Sequence, residues 1–127
     1  MKYFLDTEFI ENGKTIDPIS LAMVSEDDRK LYLINLDADL SKADDWIKEN
    51  VIPHLSPKPE NVNHTMYANM NDGIWMPHAS FKSIIETFIG FDENEEHEFW
   101  AYYADYDWVA FCQCWGRMLD IPKRFPK

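Results

Sequence analysis

In FLDTEFIE, residues 4–11, two carboxylates stand one residue apart in a stretch whose composition is that of a buried strand. Side chains alternate along a strand, so Asp6 and Glu8 share a face, their Cα atoms ~6.5–7 Å apart. Phe4 precedes them on that face, while Leu5, Thr7 and Phe9 take the other. Two acids beside a packed sheet repel each other and lose hydration, which costs several kcal/mol or raises one pKa. A divalent cation removes the conflict, since oxygen ligands at this separation can bracket Mg2+ or Mn2+. The spacing alone also fits a strand that ends near Leu5 and leaves both acids in water. A third acid strengthens the metal reading. In YYADYDWVAF, Asp107 stands where a strand gives way to a helix, from which a side chain can reach over the sheet. Asp105 is its rival and reads as a helix N-cap. Asp107 reads equally as a first-turn acid favoured by the helix dipole.

These acids need elements to position them. KYFLD (2–6) has strand composition and can continue through Phe9; IDPISLAMVS (16–25) and KLYLINL (30–36) are further strands. The short polar link SEDDR makes the last two a hairpin, so three strands open the chain as an antiparallel meander. A helix follows Ser41, with Asp44 where a capping-box acid would sit and Pro53 ending the run. Residues 53–77, rich in Pro, Asn and His, read as a long loop carrying Met66, Tyr67, Met70, Trp75 and Met76. Loops of that length in compact domains are usually functional or disordered. A second helix over 79–90 places Phe81, Ile84, Ile85, Phe88 and Ile89 on one stripe, the pattern of core packing. FDENEEHE (91–98) reads as a solvated turn without the glycine or ligand spacing of a calcium loop. FWAYY (99–103) reads as a buried strand, and the chain from about Tyr106 as a helix packed on two sides. The order β-β-β-α-(loop)-α-β-α predicts a mixed α/β sheet with helices on its faces.

At 127 residues, 46% hydrophobic and 15% aromatic, the chain suits one packed domain. No apolar run approaches the ~18 residues of a membrane span. The N-terminus has neither the apolar core nor the cleavage site of a signal peptide, so a cytoplasmic protein is expected. Cys112 and Cys114 point in different directions on a helix, and no second Cys or His pair stands at zinc spacing; two reduced core thiols are expected. Twelve basic against 23 acidic side chains, a net charge of -11, argue against a broad phosphate-binding surface. They do not argue against an enzyme that meets one strand end through bound cations.

YFLDTEFIENGKTIDPISLAMV together with YYADYDWVAFCQCWGRMLDIPKRFP resembles the DEDD exonucleases. More narrowly, it is similar to the small bacterial and phage 3′-to-5′ exoribonucleases of ribonuclease H-like fold. The resemblance implies that Asp6 and Glu8 are metal ligands and, through Tyr106, Asp107 and Phe111, that Asp107 rather than Asp105 is the third. Tyr103 occupies the position the family usually gives to Asn. The resemblance further implies two-metal hydrolysis with Mg2+ or Mn2+, in which one ion activates a water and the other stabilises the leaving oxygen. Asp6 would bridge both ions, Glu8 would hold the one nearer the nucleophile, and Asp107 would orient the other through water. The single-stranded RNA 3′ end is the implied substrate and a nucleoside monophosphate the implied product. Phe9 is where the family packs against the terminal nucleotide, although it reads equally as a core residue. Trp75 of the long loop could add a stacking surface, and the same loop could instead form a homodimer interface.

The family pattern also calls for a fourth Asp with a His or Tyr five residues before it. No His-x4-Asp occurs here: the residues five after His54, His64, His78 and His97 are Pro59, Asn69, Ser83 and Tyr102. Loss of such a base is worth roughly 10²–10⁴-fold in rate. The expectation is therefore a single exonuclease-like domain over 1–127, truncated at its C-terminus. The rival readings are a relative that binds nucleotide or RNA without cutting it, and a site completed by a partner chain.

Overall fold

The computed structural model describes residues 1–59, 67–69 (backbone only) and 73–126. Six strands form one sheet: β1 (Lys2–Glu11), β2 (Ile16–Ser25), β3 (Lys30–Asn35), β4 (Tyr67–Asn69), β5 (Gly73–Met76) and β6 (Glu98–Trp100). Their spatial order is β4-β5-β3-β2-β1-β6. The expected meander β1-β2-β3 is antiparallel, β5 joins β3 in parallel, and β6 joins β1 in parallel. Three helices, α1 (Asp45–Asn50), α2 (Phe81–Ile89) and α3 (Ala104–Gln113), cover the two faces. This is the mixed, ribonuclease H-like α/β sheet with flanking helices.

Alternation along the strands divides the core in two. Tyr3, Leu5, Leu21, Met23 and Leu33 lie on one face and pack under Phe81, Ile85 and Ile89 of α2 and Phe111 of α3. Tyr3 also donates its hydroxyl to the Ile89 carbonyl, 3.1 Å away, anchoring the end of α2. On the other face Ile10 and Ile19 pack with Ala43, Ile47 and Val51 of the α1 segment. A bulge makes that second core possible. Glu8 pairs with Ser20 and Phe9 with Pro18, which leaves Ile19 as the extra residue and lets it join Ile10. Pro18 is tolerated because β3 pairs only with Ser20–Val24, so no ladder bond is lost there.

Several expectations need correction. β1 runs through Glu11, so Asp6 and Glu8 stand inside the strand and not beyond its end, although Asp6 is exposed there. The 53–77 stretch is not a plain loop, since it contributes β4 and β5; periodicity could not reveal strands of three and four residues. Met66 and Met70 lie outside the described residues. Asp44 is the N-cap of α1 itself and accepts from the Ile47 amide at 2.9 Å, because Asp39 caps a separate 3₁₀ turn over Leu40–Lys42. FWAYY contributes only its first two residues to β6, and Tyr102 is 91% exposed. α3 begins two residues earlier than expected, and Val109 faces solvent, so it packs on one side. The 91–98 connection is mostly exposed, but His97 is buried against Tyr3 and Phe125. Both cysteines are free and buried, as expected, and burial pushes the Cys112 thiol up to about 11 and the Cys114 thiol to about 12.

Gly73 opens β5 at φ +105, and a Cβ there would lie 2.7 Å from Cδ1 of Tyr32 and 2.9 Å from Cδ1 of Ile34. Tyr32 pairs with Ala22, which pairs with Asp6, so its ring shares the sheet face of the acids. Gly73→Ala should therefore both strain the backbone and displace Tyr32. A loss of about 1–3 kcal/mol is expected in urea unfolding; an unchanged midpoint would show that the β3–β5 seam tolerates the methyl group.

Candidate active site

β6 pairs with β1 only at Lys2, Tyr3 and Phe4, so the β1 edge beyond Phe4 has no strand partner on that side. The first turn of α3 covers it. Asp107 is 5% exposed, and its Oδ1 accepts both the Thr7 amide at 2.9 Å and the Thr7 hydroxyl at 2.5 Å. This junction joins segments 100 residues apart and sets Asp107 beside the Asp6–Glu8 stretch. Asp105, its rival in the sequence, is exposed and does not cap α3, whose N-cap is Tyr103.

Asp6, Glu8 and Asp107 line one cleft of about 410 Å³, with Phe9, Trp46 and Tyr106 among its walls. Asp6 is exposed and Glu8 half-buried. Partial burial raises the Asp6 pKa, and the Asp107 carboxylate raises it further. Glu8 is raised first by burial, then by Asp6, then by Asp107. On the β2–β3 side, Asp6 and Glu8 also line a shallower cleft with Tyr32 and His54. Burial raises the Tyr32 hydroxyl, a hydrogen bond with Ser20 opposes that, and the Glu8 and Asp6 charges raise it again.

Among the described residues no Lys, Arg or His lines the larger cleft. Within that cleft, among the described residues, the carboxylates are therefore a charge cluster without a basic partner, an all-oxygen set of the hardness that Mg2+ and Mn2+ take. Among the described residues no three His, Cys, Asp or Glu side chains stand together at ligand spacing, so the three acids share the cleft without meeting at one point. Asp107 is held by Thr7, whereas the exposed Asp6 has room to turn. On donor chemistry the residues fit a divalent cation.

The other residues singled out in the sequence fall differently. Phe9 lines the cleft, but Tyr106 covers one face of its ring, with centroids 5.5 Å apart and planes 13° apart. Trp75 is absent from the cleft walls. It is 4% exposed, donates its indole N–H to Ser56 at 2.9 Å, and sits three strand spacings, roughly 14 Å, from Glu8 across the register. Its ring packs in the sheet and does not overhang the acids. Trp46 went unnoticed in the sequence, because one exposed tryptophan in a six-residue helix carries no periodic signal.

Fold and cleft together describe a ribonuclease H-like α/β protein with a carboxylate cluster at the open edge of β1. Two curated proteins of Mycobacterium tuberculosis, one from strain H37Rv and one from strain CDC 1551, are each named 3′-5′ exoribonuclease. Each is 35% identical to this chain over 127 residues, covering 100% of it and 68% of the relative. The chain belongs to this family of exoribonucleases. No protein-family model matches the sequence.

The raised carboxyls make a signed prediction. An acid whose folded pKa lies above its unfolded value binds more protons when folded, so stability falls as pH rises through that window. In chelator, Asp6→Asn should be more stable than the parent at pH 7, and the gap should close as pH falls toward the ordinary carboxylate value near 4. Thermal melts across pH 4–8 would show this; a gap independent of pH would remove electrostatic repulsion as its cause.

Proposed function

We propose that the protein is a metal-dependent 3′-5′ exoribonuclease of the DEDD type, with Asp6, Glu8 and Asp107 as the carboxylates that hold Mg2+ or Mn2+. The observation that carries this reading is the convergence of three acids from two distant segments on one cleft that lacks a basic side chain among its described walls. The naming of the relatives supports the reaction class. When bound, divalent ions supply a nucleophilic water at neutral pH and stabilise charge on the leaving oxygen.

The chain's own residues do the positioning. Thr7 orients Asp107 through two hydrogen bonds to one oxygen, which keeps that side chain on the cleft side of α3. The β2 bulge opposite Glu8 sets how far the strand turns toward α1. The substrate is the 3′ end of single-stranded RNA and the product a nucleoside monophosphate.

A 5′-labelled single-stranded RNA incubated with Mg2+ or Mn2+ should shorten from its 3′ end. Asp6→Ala and chelator should each abolish the ladder, with a loss of at least ~10²-fold. RNA or AMP bound without shortening at any metal concentration would instead identify a binding relative on the same fold.

A further inference from the structure

We propose that the segment 121–126 is an acid-released clasp: it stays seated against the sheet while the His97 imidazole is neutral and lets go when that ring takes up a proton. The clasp is independent of the chemistry assigned to the carboxylate cleft.

His97 stands immediately before β6, where the start of β1 and the segment 121–126 meet the sheet edge. It is 8% exposed, and among the described residues neither ring nitrogen has a hydrogen-bond partner. Its close neighbours are rings: Tyr3 at 5.8 Å and Phe125 at 6.2 Å, the latter edge-on at 89°. A neutral imidazole tolerates that seat, whereas an imidazolium would be a buried charge without an acceptor. Charged groups reach the site from every element that meets there. They are the Met1 amine and Lys2, Glu26 of the β2–β3 turn, Asp92, Glu93, Glu95 and Glu96 of the connection, Glu98 of β6, and Lys123 and Arg124 of the segment. None of them bonds either ring nitrogen. Burial is the main influence that holds the proton off; Glu95 opposes it, the Met1 amine and Arg124 add to it, and Asp92 opposes it more weakly.

The segment is attached in a way that lets it leave as a unit. Phe125 is 2% exposed and packs edge-on against Phe99 at 5.6 Å and Trp115 at 5.7 Å. Arg124 donates to the Gly90 carbonyl at 3.1 Å and pairs with Glu86 at 3.6 Å. These are side-chain contacts. Among the described residues the backbone of 121–126 shares no hydrogen bond with the sheet, so its release breaks no ladder. Because Phe125 covers the His97 ring, water reaches a charged His97 only when Phe125 moves. An imidazole whose pKa is depressed in the seated state binds fewer protons there. The seated state is therefore fully favoured above the ordinary histidine value near 6.5 and weakens as pH falls below it.

Trypsin reads the clasp directly, because the bond between Arg124 and the buried Phe125 is cut only from the released state, at a rate that follows its population. The full chain would be digested between pH 7.5 and 5.5 and the products identified by mass spectrometry. Each rate is divided by that of an unstructured peptide of residues 115–127, which removes the pH dependence of the protease. The normalised rate at Arg124–Phe125 should rise by about fivefold or more as pH falls. Cleavage at Arg29–Lys30 in the β2–β3 turn should stay within about twofold, since the sheet remains folded. His97→Phe should abolish the rise, and so should His97→Gln, which carries the test if the phenylalanine variant does not fold. A rise that persists in a folded His97 variant, no rise in the parent, or an equal rise at Arg29–Lys30 would each overturn the proposal.

Discussion

The site depends on one junction: the Asp107 carboxylate accepting the amide and hydroxyl of Thr7. β1 is an outer strand of the meander, and β6 accompanies it only as far as Phe4, so among the described residues its far half presents an unpaired edge. An open edge must be paired, covered or wetted. Here the start of α3 covers it, and the side chain that satisfies Thr7 is itself acidic. Burying that carboxylate is tolerable because Oδ1 receives two donors, one of them a backbone N–H. The same contact that closes the sheet edge brings a third acid to Asp6 and Glu8.

Around this junction the fold spends apolar burial to hold charges together. The two cores lie on opposite faces of β1, Leu5 packing on one and Ile10 on the other, while Asp6 and Glu8 share the face of Ile10 and line the cleft. Residues of β2 reinforce the same arrangement, since the bulge turns Ile19 toward Ile10 and seats α1 beside the acids. α1 is short, but its cap and the packing of Ile47 with Ile10 and Ile19 place Trp46 at the rim. Burial and mutual repulsion both raise the Asp6 and Glu8 carboxyls, a pattern common at functional sites.

How much was legible from the sequence varied with the kind of signal. Strand-like composition in 2–6 and 16–25 and the period-3.6 stripe from Phe81 to Ile89 pointed to β1, β2 and α2, because burial selects apolar residues and, on a helix, imposes that stripe directly. The short strands β4 and β5 were missed, as a run of three or four residues establishes no period. The sequence offers Trp75 as a stacking aromatic of a long loop, whereas the structure places it in β5 with its indole N–H bonded to Ser56. The FWAYY run looked buried on composition, but only Phe99 and Ala101 pack against the core, because the chain leaves the sheet after Trp100.

The sequence by itself determined that two acids share a strand face, that the chain folds as a mixed α/β sheet, and that a negatively charged protein needs help to meet a phosphate. Those follow from local alternation and from counting charges, which no folding event alters. The family resemblance pointed to Asp107 over Asp105, but only the tertiary structure decided which of the two meets the open edge of β1 and which aromatics stand around the acids. The choice turns on which side of α3 meets the open edge of β1, a contact between residues 7 and 107 that no local pattern encodes.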